Sequence, residues 1–466
     1  MLDREIAASI FETLRAHTTA DEIELLIAGT RSALTRFANN TIHQNVEEEN
    51  QHISVRVSFG GRTARATTNK HDDESLRRVV QSAEALARVQ QEDPDLLPMP
   101  TPGEVAQSAT AIAPRVSRYF DNTASLTPHD RAAAVAPMVN VAKRHALTSA
   151  GIFSSSHSVE GIFNSRGVAD WYEQTLAEAS ITMLGDTSSG WQKANSPDIT
   201  QLDPARLAKI AAEKAVASKD PIELSPGKYT VILEPSAVLD AVGFMFWDFG
   251  GSALLEQRSF LNDRIGTQLF GANINVWDDA YHPLQTGVPF DGEGMKRHRI
   301  NLIENGMVRA VTYARSSARR MRQSEMAGRV GPIAATGHGF SLPNEIGEAP
   351  MNIVFAGADP GQVQSIEQMI DSTERGVLVT RLWYIREVDP YEKILTGMTR
   401  DGTFLVEDGK IRGGIRNFRF NESLIPMLQN VEALGEAVRA SGEESLDMVV
   451  PAMKVRDFNF TETTKF

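Results

Sequence analysis

Two aspartates in a long apolar stretch are the first residues whose chemistry must be judged. Asp240 and Asp248 lie in PSAVLDAVGFMFWDFGG, which is long enough for a helix. On an ideal α-helix they lie roughly 80° apart, so a pair of catalytic carboxylates would need a tighter common face or a partner from elsewhere. The apolar side chains, Trp247 included, are typical of a core helix that the Gly250-Gly251 pair would end. The residues alone therefore favour a structural helix.

Histidines and further acids offer candidate ligands without the spacing of a metal site. His338 lies between glycines in TGHGF, and His282 and His298 flank PFDGEGMKRHR. His338 has no second ligand two or four residues further on, and the other two histidines also lack metal spacing. The acids at 47–49 could hold a cation, but adjacent acids on a strand or turn are more often solvated. A structural or solvated role is favoured for these residues.

The stretch TRLWYIREV, residues 380–388, predicts a strand that could line a groove. One face would carry Leu382, Tyr384 and Arg386, and the other Arg381, Trp383 and Ile385. The groove candidates are Arg381, Trp383, Tyr384 and Arg386. A peptide could add to such a strand through main-chain hydrogen bonds, while an arginine meets a carboxylate. The alternative is a strand packed on both sides, with Arg386 and Glu387 as structural partners.

The elements that must position these residues predict an α+β protein. HISVRVSFGGRTARATTN predicts a half-buried antiparallel strand, with Ser54, Arg56 and Ser58 facing away from the apolar side, and a turn at the following glycine pair. ENG at 304–306 and EDG at 407–409 predict two more hairpins. We expect a helix-and-sheet domain at 1–220, followed by a largely antiparallel, β-rich domain at 221–466.

Composition excludes several classes of protein. The net charge of -13 argues against a general nucleic-acid surface, and the absence of cysteine excludes disulfides, iron–sulfur clusters and thiol nucleophiles. The first residues, MLDREIAASIFETLRAH, lack the apolar core of a signal peptide. No uncharged apolar run approaches the roughly 18 residues of a membrane span. We therefore expect a cytoplasmic protein that contacts neither nucleic acid nor membrane.

Four stretches in a characteristic order carry a resemblance to one protein family. They are ALTRFANNTIHQNVEEENQHISVRVSFGGR, LLEQRSFLNDRIG, VPFDGEGMKRHRINLIENG and GVLVTRLWYIREVDP with LTGMTRDGTFLVEDGKI after it. Spread over nearly the whole chain, they resemble the TldD/PmbA family, also called the modulator-of-DNA-gyrase family or peptidase group U62. The resemblance implies a metallopeptidase-like fold. In that family the TldD-type subunit is a zinc protease with a His-Glu-x-x-x-His helix and a cysteine ligand, whereas the PmbA-type (TldE) subunit lacks these ligands.

The resemblance also implies that the apolar stretch occupies the position of the family's zinc helix. Aligned without gaps from Pro235, the first histidine of the family falls at Gly243, the glutamate at Phe244 and the second histidine at Asp248. A catalytic zinc needs about three protein ligands and a positioned base. The chain keeps one ligand candidate and has no cysteine. We therefore expect no zinc or other cofactor here and no catalytic residue.

The resemblance implies a non-catalytic, protease-like subunit of the PmbA/TldE type, or a TldD-like branch that lost its metal. It would bind extended or unfolded peptides as a homodimer, or as a heterodimer with a TldD-type partner. Two alternatives stay open: a metallopeptidase with a non-standard metal site, combining Asp248 with His282, His298 or His338, and a homodimeric peptide-binding scaffold. Nothing in the sequence supports contact with DNA, and the sequence does not name the peptide.

Overall fold

A computed structural model of the chain describes residues 2–108, 116–359 and 361–464, and its first half builds an antiparallel sheet with helices packed on it. The helices are α1 Arg4–His17, α2 Asp73–Val89, α3 Pro102–Ser108, α4 Asp121–Ala124, α5 Pro128–Arg144 and α6 Pro204–Ala217. The strands are β1 Glu22–Ala38, β2 Thr41–Phe59, β3 Arg62–Thr68, β4 Thr148–Asn164, β5 Ala169–Leu184 and β6 Ser189–Ser196. They follow the order β3-β2-β1-β4-β5-β6.

The central strand β1 shows how this sheet separates two layers. Successive side chains of a strand point to opposite faces. Ile23, Leu25 and Ile27 pack in a core with α1 and α2, whereas Leu26 packs on the other face with Phe290 of the second half. One face of the sheet is therefore covered by helices and the other by the second half of the chain.

The polar face of β2 is buried, so the prediction of a half-buried strand was wrong. The side chains expected to face solvent are Ser54, Arg56 and Ser58, and all of them are buried. Glu24 on β1 accepts hydrogen bonds from Arg56 at 2.9 Å and Arg65 at 2.6 Å, and Arg65 also donates to the carbonyl of Leu342 at 2.7 Å. The second half covers this face, and the charges on it pair with one another inside the first half, which a strand pattern alone does not reveal.

The second half is rich in strands. Its strands are β7 Gly227–Leu233, β8 Val276–Asp278, β9 Ile300–Glu304, β10 Met307–Val308, β11 Ile353–Phe355, β12 Arg375–Asp389, β13 Ile394–Glu407, β14 Lys410–Gly414, β15 Phe418–Ser423, β16 Val431–Leu434, β17 Val438–Ala440, β18 Met448–Val450 and β19 Met453–Thr463. Its helices are α7 Pro235–Val242, α8 Gly251–Leu255, α9 Arg315–Gln323, α10 Ile366–Asp371 and α11 Leu424–Gln429.

These strands form two sheets. One follows the order β10-β9-β8-β11-β18-β17, and the other β12-β7-β19-β15-β13-β14. Because β12 pairs with both β7 and β13, five strands of the second sheet close into a ring. The pairings are antiparallel apart from β7 with β12 and β11 with β18. This confirms the predicted α+β class with a largely antiparallel second half.

Two tight turns confirm the hairpin predictions. Asn305 and Gly306 join β9 to β10, and their φ angles are 50° and 75°. Asp408 and Gly409 join β13 to β14 with φ angles of 50° and 72°. Two central residues with positive φ are what a type I′ hairpin requires, and Asn-Gly and Asp-Gly adopt it readily.

The apolar stretch of 235–251 is not one helix, contrary to prediction. Helix α7 ends at Val242, a 3₁₀ segment runs over Gly243–Asp248, and Gly251 begins α8. A Cβ atom at Gly243 would overlap the side chain of Ser445, and one at Gly251 would overlap the ring of Tyr313. Other segments therefore pack too closely against these two glycines to allow a side chain there, and the helical path changes at both positions.

The segment that links the two halves lies between α6 and β7. Within it, Ile222 makes an isolated bridge to Ile415. The predicted domain boundary at 220/221 stays a prediction. Among the described residues, none of the helices combines the length and apolar character that crossing a membrane requires.

Candidate functional site

The 3₁₀ segment and a loop opposite it enclose a small cleft. Gly243, Phe244 and Trp247 line one side, and the loop 443–446 lines the other. The cavity between them measures about 330 Å³. We call it the helix cleft. It lies at the position that the resemblance assigned to a zinc site.

Two of the three positions that correspond to zinc-site residues line this cleft, and they carry no suitable group. Gly243 has no side chain, and the loop leaves no room for one because Ser445 packs directly against it. Phe244 packs against the hydrophobic core where a catalytic glutamate would stand. Neither position supplies a metal ligand or a general base.

The third position, Asp248, is engaged by a lysine. Lys393, in the turn between β12 and β13, is 3% exposed at its side chain and forms ion pairs with Asp248 and, at 2.6 Å, with Glu387. Burial raises the pKa of Asp248, and the ammonium of Lys393 opposes that shift. A zinc ion would have to displace a buried ammonium group from the one remaining ligand. The residues present therefore do not fit a catalytic zinc.

Asp240 is a buried carboxyl on α7 that serves the loop. Its Oδ1 accepts weak hydrogen bonds at 3.3 Å from the main-chain N–H groups of Glu443 and Glu444, and its Oδ2 has no hydrogen-bond partner in the described part of the chain. Burial raises the pKa of Asp240 to about 7, and these N–H groups counteract part of the shift. Asp240 thus fixes the loop that closes the helix cleft.

The histidines proposed as alternative ligands do not gather around Asp248. His338 is buried, and its ring nitrogens bond to Asp278 at 2.9 Å and Thr336 at 3.0 Å. Burial opposes ionisation of Asp278, but His338, Arg297 and the main-chain N–H of Asn352 together outweigh burial and lower the pKa of that carboxyl. Nδ1 of His282 accepts a main-chain N–H at 3.2 Å. In the described ranges, no three His, Asp or Glu side chains are arranged to hold a metal ion.

The remaining candidates are equally separate from the cleft. Burial, and next His338, lower the pKa of His298, whose Nε2 has no hydrogen-bond partner among the described residues. The acids at 47–49 lie on the exposed outer part of β2, where Glu47 pairs with Arg31. This position fits the solvated role favoured by the sequence.

On β12, the predicted alternation breaks at a bulge. Pairing with β13 shifts register between Trp383 and Arg386, and Tyr384 has a φ of 54°. Leu382 and Ile385 are consequently both buried, although they were expected on opposite faces. The prediction of two regular faces was wrong because a bulge inserts an extra residue into one strand.

Arg381 is a structural residue in this arrangement and does not face a groove. It is 5% exposed, and its Nε donates to Asp401 at 2.9 Å. Its guanidinium also lies over the rings of Trp191 and Trp383, at 4.5 Å and 5.2 Å. Trp383 is half-buried, with Arg400 on it at 4.8 Å. The expected contact between Arg381 and a peptide does not fit this packing.

Tyr384 and Arg386, in contrast, are exposed and adjoin the helix cleft. The carboxylate of Glu444 accepts the main-chain N–H groups of Tyr384 at 2.6 Å and Ile385 at 3.3 Å. Arg386 stacks on the ring of Tyr384 at 4.6 Å. Glu444 therefore connects the bulge of β12 with the cleft, and the structure brings these two groove candidates beside the degenerate zinc position.

Sequence reasoning missed Trp247, Lys393 and Glu444. Trp247 was expected in the core, yet it is 50% exposed and stacks on Phe340 with ring centroids 6.3 Å apart. Phe246 and Phe249 fill the core on either side of it, which leaves Trp247 over the cleft. Lys393 and Glu444 act on residues far away in the chain, so no local pattern marks them.

Comparisons with known proteins cover most of the chain. Models described as PmbA/TldA metallopeptidase domain 1, central domain and C-terminal domain match residues 23–87, 126–219 and 226–462. "Metalloprotease PmbA" of Escherichia coli O157:H7 is 22% identical over 420 residues, spanning 86% of this chain and 85% of that protein. "Metalloprotease PmbA homolog" of Haemophilus influenzae is 21% identical over 434 residues, or 88% and 87% of the two chains.

Two solved structures share the fold over almost the full length. TldE from Thermococcus kodakarensis aligns with a TM-score of 0.83 at 18% identity, covering 98% of this chain and 100% of that one. A putative modulator of a DNA gyrase from Thermotoga maritima aligns with a TM-score of 0.80 at 18% identity, covering 98% and 99%. At this identity the likeness establishes the fold alone.

Proposed function

The chain belongs to the PmbA/TldD metallopeptidase family, and on that premise we propose that it is a non-catalytic member that binds extended peptides. The observation that carries the proposal is the ion pair between Lys393 and Asp248. At the one remaining ligand position, a buried ammonium supplies the positive charge that a metal would otherwise bring. Gly243 and Phe244 offer neither a ligand nor a base. The family's zinc chemistry therefore has no support in these side chains.

The helix cleft offers the features of a peptide site. Trp247 presents a half-exposed ring, and aromatic side chains of this kind supply contact area at binding surfaces. The carboxylate of Glu444 accepts hydrogen bonds from two main-chain N–H groups at the bulge of β12. Carbonyl groups of a bound peptide can replace the carboxylate there, because both are hydrogen-bond acceptors. Recognition through the main chain would tolerate many peptide sequences.

The proposal includes a partner. A subunit that binds peptide without cleaving it gains a role in proteolysis when a zinc-bearing TldD-type subunit is attached to it. We propose a homodimer when the protein is alone and a heterodimer with such a partner in the cytoplasm. Neither nucleic acid nor membrane is part of the proposal.

Peptide binding to the cleft is tested by replacing Trp247. The probe is a fluorescein-labelled decapeptide of alanine, leucine and serine with an amidated C-terminus, and binding is followed by fluorescence anisotropy. We expect Trp247→Ala to raise Kd by about fivefold or more, because a central aromatic contributes more than about 1 kcal/mol at a binding surface. The melting temperature should change little, since the ring is half exposed.

Tyr391→Ala is the matched control. Tyr391 is 47% exposed, packs on Arg264 and does not line the cleft. The Tyr391→Ala variant should bind the decapeptide with the same Kd as the unmodified protein. Equal Kd values for all three proteins, or the absence of any binding, would show that the helix cleft is not a peptide site.

A further inference from the structure

A second and larger cavity lies between the two halves of the chain, next to the helix cleft. It measures about 670 Å³ and is lined by Leu26 and Glu160 of the first-half sheet and by Phe290 and Arg297 of the second half. We call it the interdomain cavity. Leu446 lines both this cavity and the helix cleft. Phe340, on its wall, stacks on Trp247 of the cleft. The two spaces thus share their boundary.

Arg297 brings an unsatisfied guanidinium to the interdomain cavity. Its Nε and Nη1 atoms are buried and have no hydrogen-bond partner within the described residues. The nearby carboxylate of Asp278 is already bonded to His338 and to the main-chain N–H of Asn352 at 2.7 Å. A buried charged donor without an acceptor is costly, and native proteins rarely keep one. The position of Arg297 therefore calls for an acceptor, ideally an anionic one.

Two hydrogen-bond acceptors, Gln174 and Glu160, line the sheet side of the same cavity. Oε1 of Gln174 is buried and lacks a hydrogen-bond partner in the described chain. Glu160 lines the cavity on an exposed part of β4, and desolvation by nearby protein atoms raises the pKa of its carboxyl, opposed by the charge of Arg297. Gln174 pairs with Ser158, two residues before Glu160 on β4, so both side chains lie on one face of the sheet. The cavity thus offers unsatisfied donors and acceptors to a single ligand.

We propose that the interdomain cavity binds the C-terminal end of a peptide, with Arg297 receiving its terminal carboxylate. The last amide N–H, or the ammonium of a dipeptide, would donate to Gln174 or Glu160, and the last side chain would contact Leu26 and Phe290. A cavity of this size accommodates a few residues. The inference rests on the proposed function, since it gives a place to the end of a peptide that passes from the helix cleft around Leu446.

The test compares three probes by isothermal titration calorimetry. They are the dipeptide Ala-Leu, the decapeptide of alanine, leucine and serine with a free C-terminus, and the same decapeptide amidated. We expect the free acid to bind about tenfold to a hundredfold more tightly than the amide, as hydrogen bonds to charged groups contribute about 1.5–3 kcal/mol. Arg297→Met should abolish this preference, and Arg297→Lys should retain part of it.

Arg299→Met serves as the control, because Arg299 is exposed, stacks on Trp277 at 4.4 Å and is not a lining residue of the cavity. It should keep the full preference for the free acid. If Arg297→Met does not fold, Gln174→Ala replaces it and should weaken binding of Ala-Leu severalfold. Equal affinity for acid and amide, a preference that survives Arg297→Met, or an Ala-Leu affinity that is unchanged in Gln174→Ala would overturn the inference.

The outcomes also separate this inference from the proposed function. If both decapeptides bind equally and in a Trp247-dependent manner, the helix cleft is a peptide site and the interdomain cavity is not. If Ala-Leu binds through Arg297 while neither decapeptide binds, the cavity is a carboxylate site and the proposed role in binding longer chains fails.

Discussion

At the residue level, Lys393 is the side chain that distinguishes this cleft from a metal site. Its ammonium lies between Asp248 and Glu387 and is almost completely buried. Without Lys393, the largely buried carboxylate of Asp248 would have no counter-charge beside it. Removal of one partner of a buried ion pair leaves the other uncompensated and typically costs several kcal/mol. The stability of the fold should therefore depend on this lysine.

We expect Lys393→Met to lower the free energy of unfolding by on the order of 3–5 kcal/mol, measured by urea denaturation. Lys209→Met is the control, because Lys209 forms an exposed pair with Glu213 and exposed pairs contribute about 0–1 kcal/mol. Equal denaturation midpoints for Lys393→Met and Lys209→Met would contradict the structural role of the Lys393 ion pairs.

Asp240 should make stability depend on pH. Burial raises its pKa to about 7 from the ordinary 3.8 of an aspartate, so between these values the folded chain keeps a proton that the unfolded chain releases. Stability therefore falls as pH rises through this window, and the penalty is complete above about pH 7. Asp240→Asn carries no charge and retains an acceptor for the loop. We expect its gain in melting temperature over the unmodified protein to grow from about pH 5 to about pH 8. A gain that is constant or shrinks with rising pH would count against the raised pKa.

At the scale of elements, β12 joins the two halves through a buried stack. Arg381 pairs with Asp401 and lies between Trp191 of the first half and Trp383. If Arg381 faced a groove, Arg381→Ala would be as stable as the unmodified protein. If Arg381 is a buried structural residue, the variant should be less stable. We expect a loss on the order of 3–5 kcal/mol, observed as a lower midpoint of chemical denaturation.

Arg386→Ala is the comparison on the same strand. Arg386 is exposed and stacks on Tyr384, so its removal should leave the midpoint nearly unchanged. If Arg381→Ala and Arg386→Ala unfold at the same denaturant concentration, the buried stack does not stabilise the protein.

The sequence predicted the local features of these elements and missed the distant ones. The Asn305-Gly306 and Asp408-Gly409 turns follow from residues that tolerate positive φ, so their hairpins could be read directly. The bulge at Tyr384 and the burial of Arg56 depend on strands and loops elsewhere in the chain. Likewise, the loss of zinc ligands was visible in the sequence, but the ion pair of Asp248 with Lys393 was not.

At the scale of the whole molecule, the two halves are held together by buried polar contacts. Arg118 of the first half is buried and donates to the carbonyls of Ala280 at 2.6 Å and Gly287 at 3.0 Å, and Arg65 donates to the carbonyl of Leu342. Such contacts fix the orientation of the halves, because buried charges lose stability when their partners move. The interdomain cavity and the helix cleft therefore keep a defined relation to each other, which the proposed path of a peptide requires.

The proposed assembly is also a property of the whole molecule. The purified protein should have twice the 51.1 kDa mass of one chain in light scattering at micromolar concentration. Adding a zinc-bearing TldD-type homologue should produce a mixed dimer, since the family resemblance implies such a pair. A mass of one chain, unchanged when the homologue is present, would contradict this expectation.

The measurement that tests the central claim most directly is the zinc content of tag-free protein, determined together with its proteolytic activity. The protein is incubated with zinc, freed of unbound metal by gel filtration, analysed by inductively coupled plasma mass spectrometry and assayed on casein. We expect far less than one zinc per chain and no cleavage of casein, because Asp248 alone does not make a catalytic zinc site. One zinc per chain that is lost in Asp248→Asn, with casein cleavage that requires the metal, would contradict a non-catalytic role.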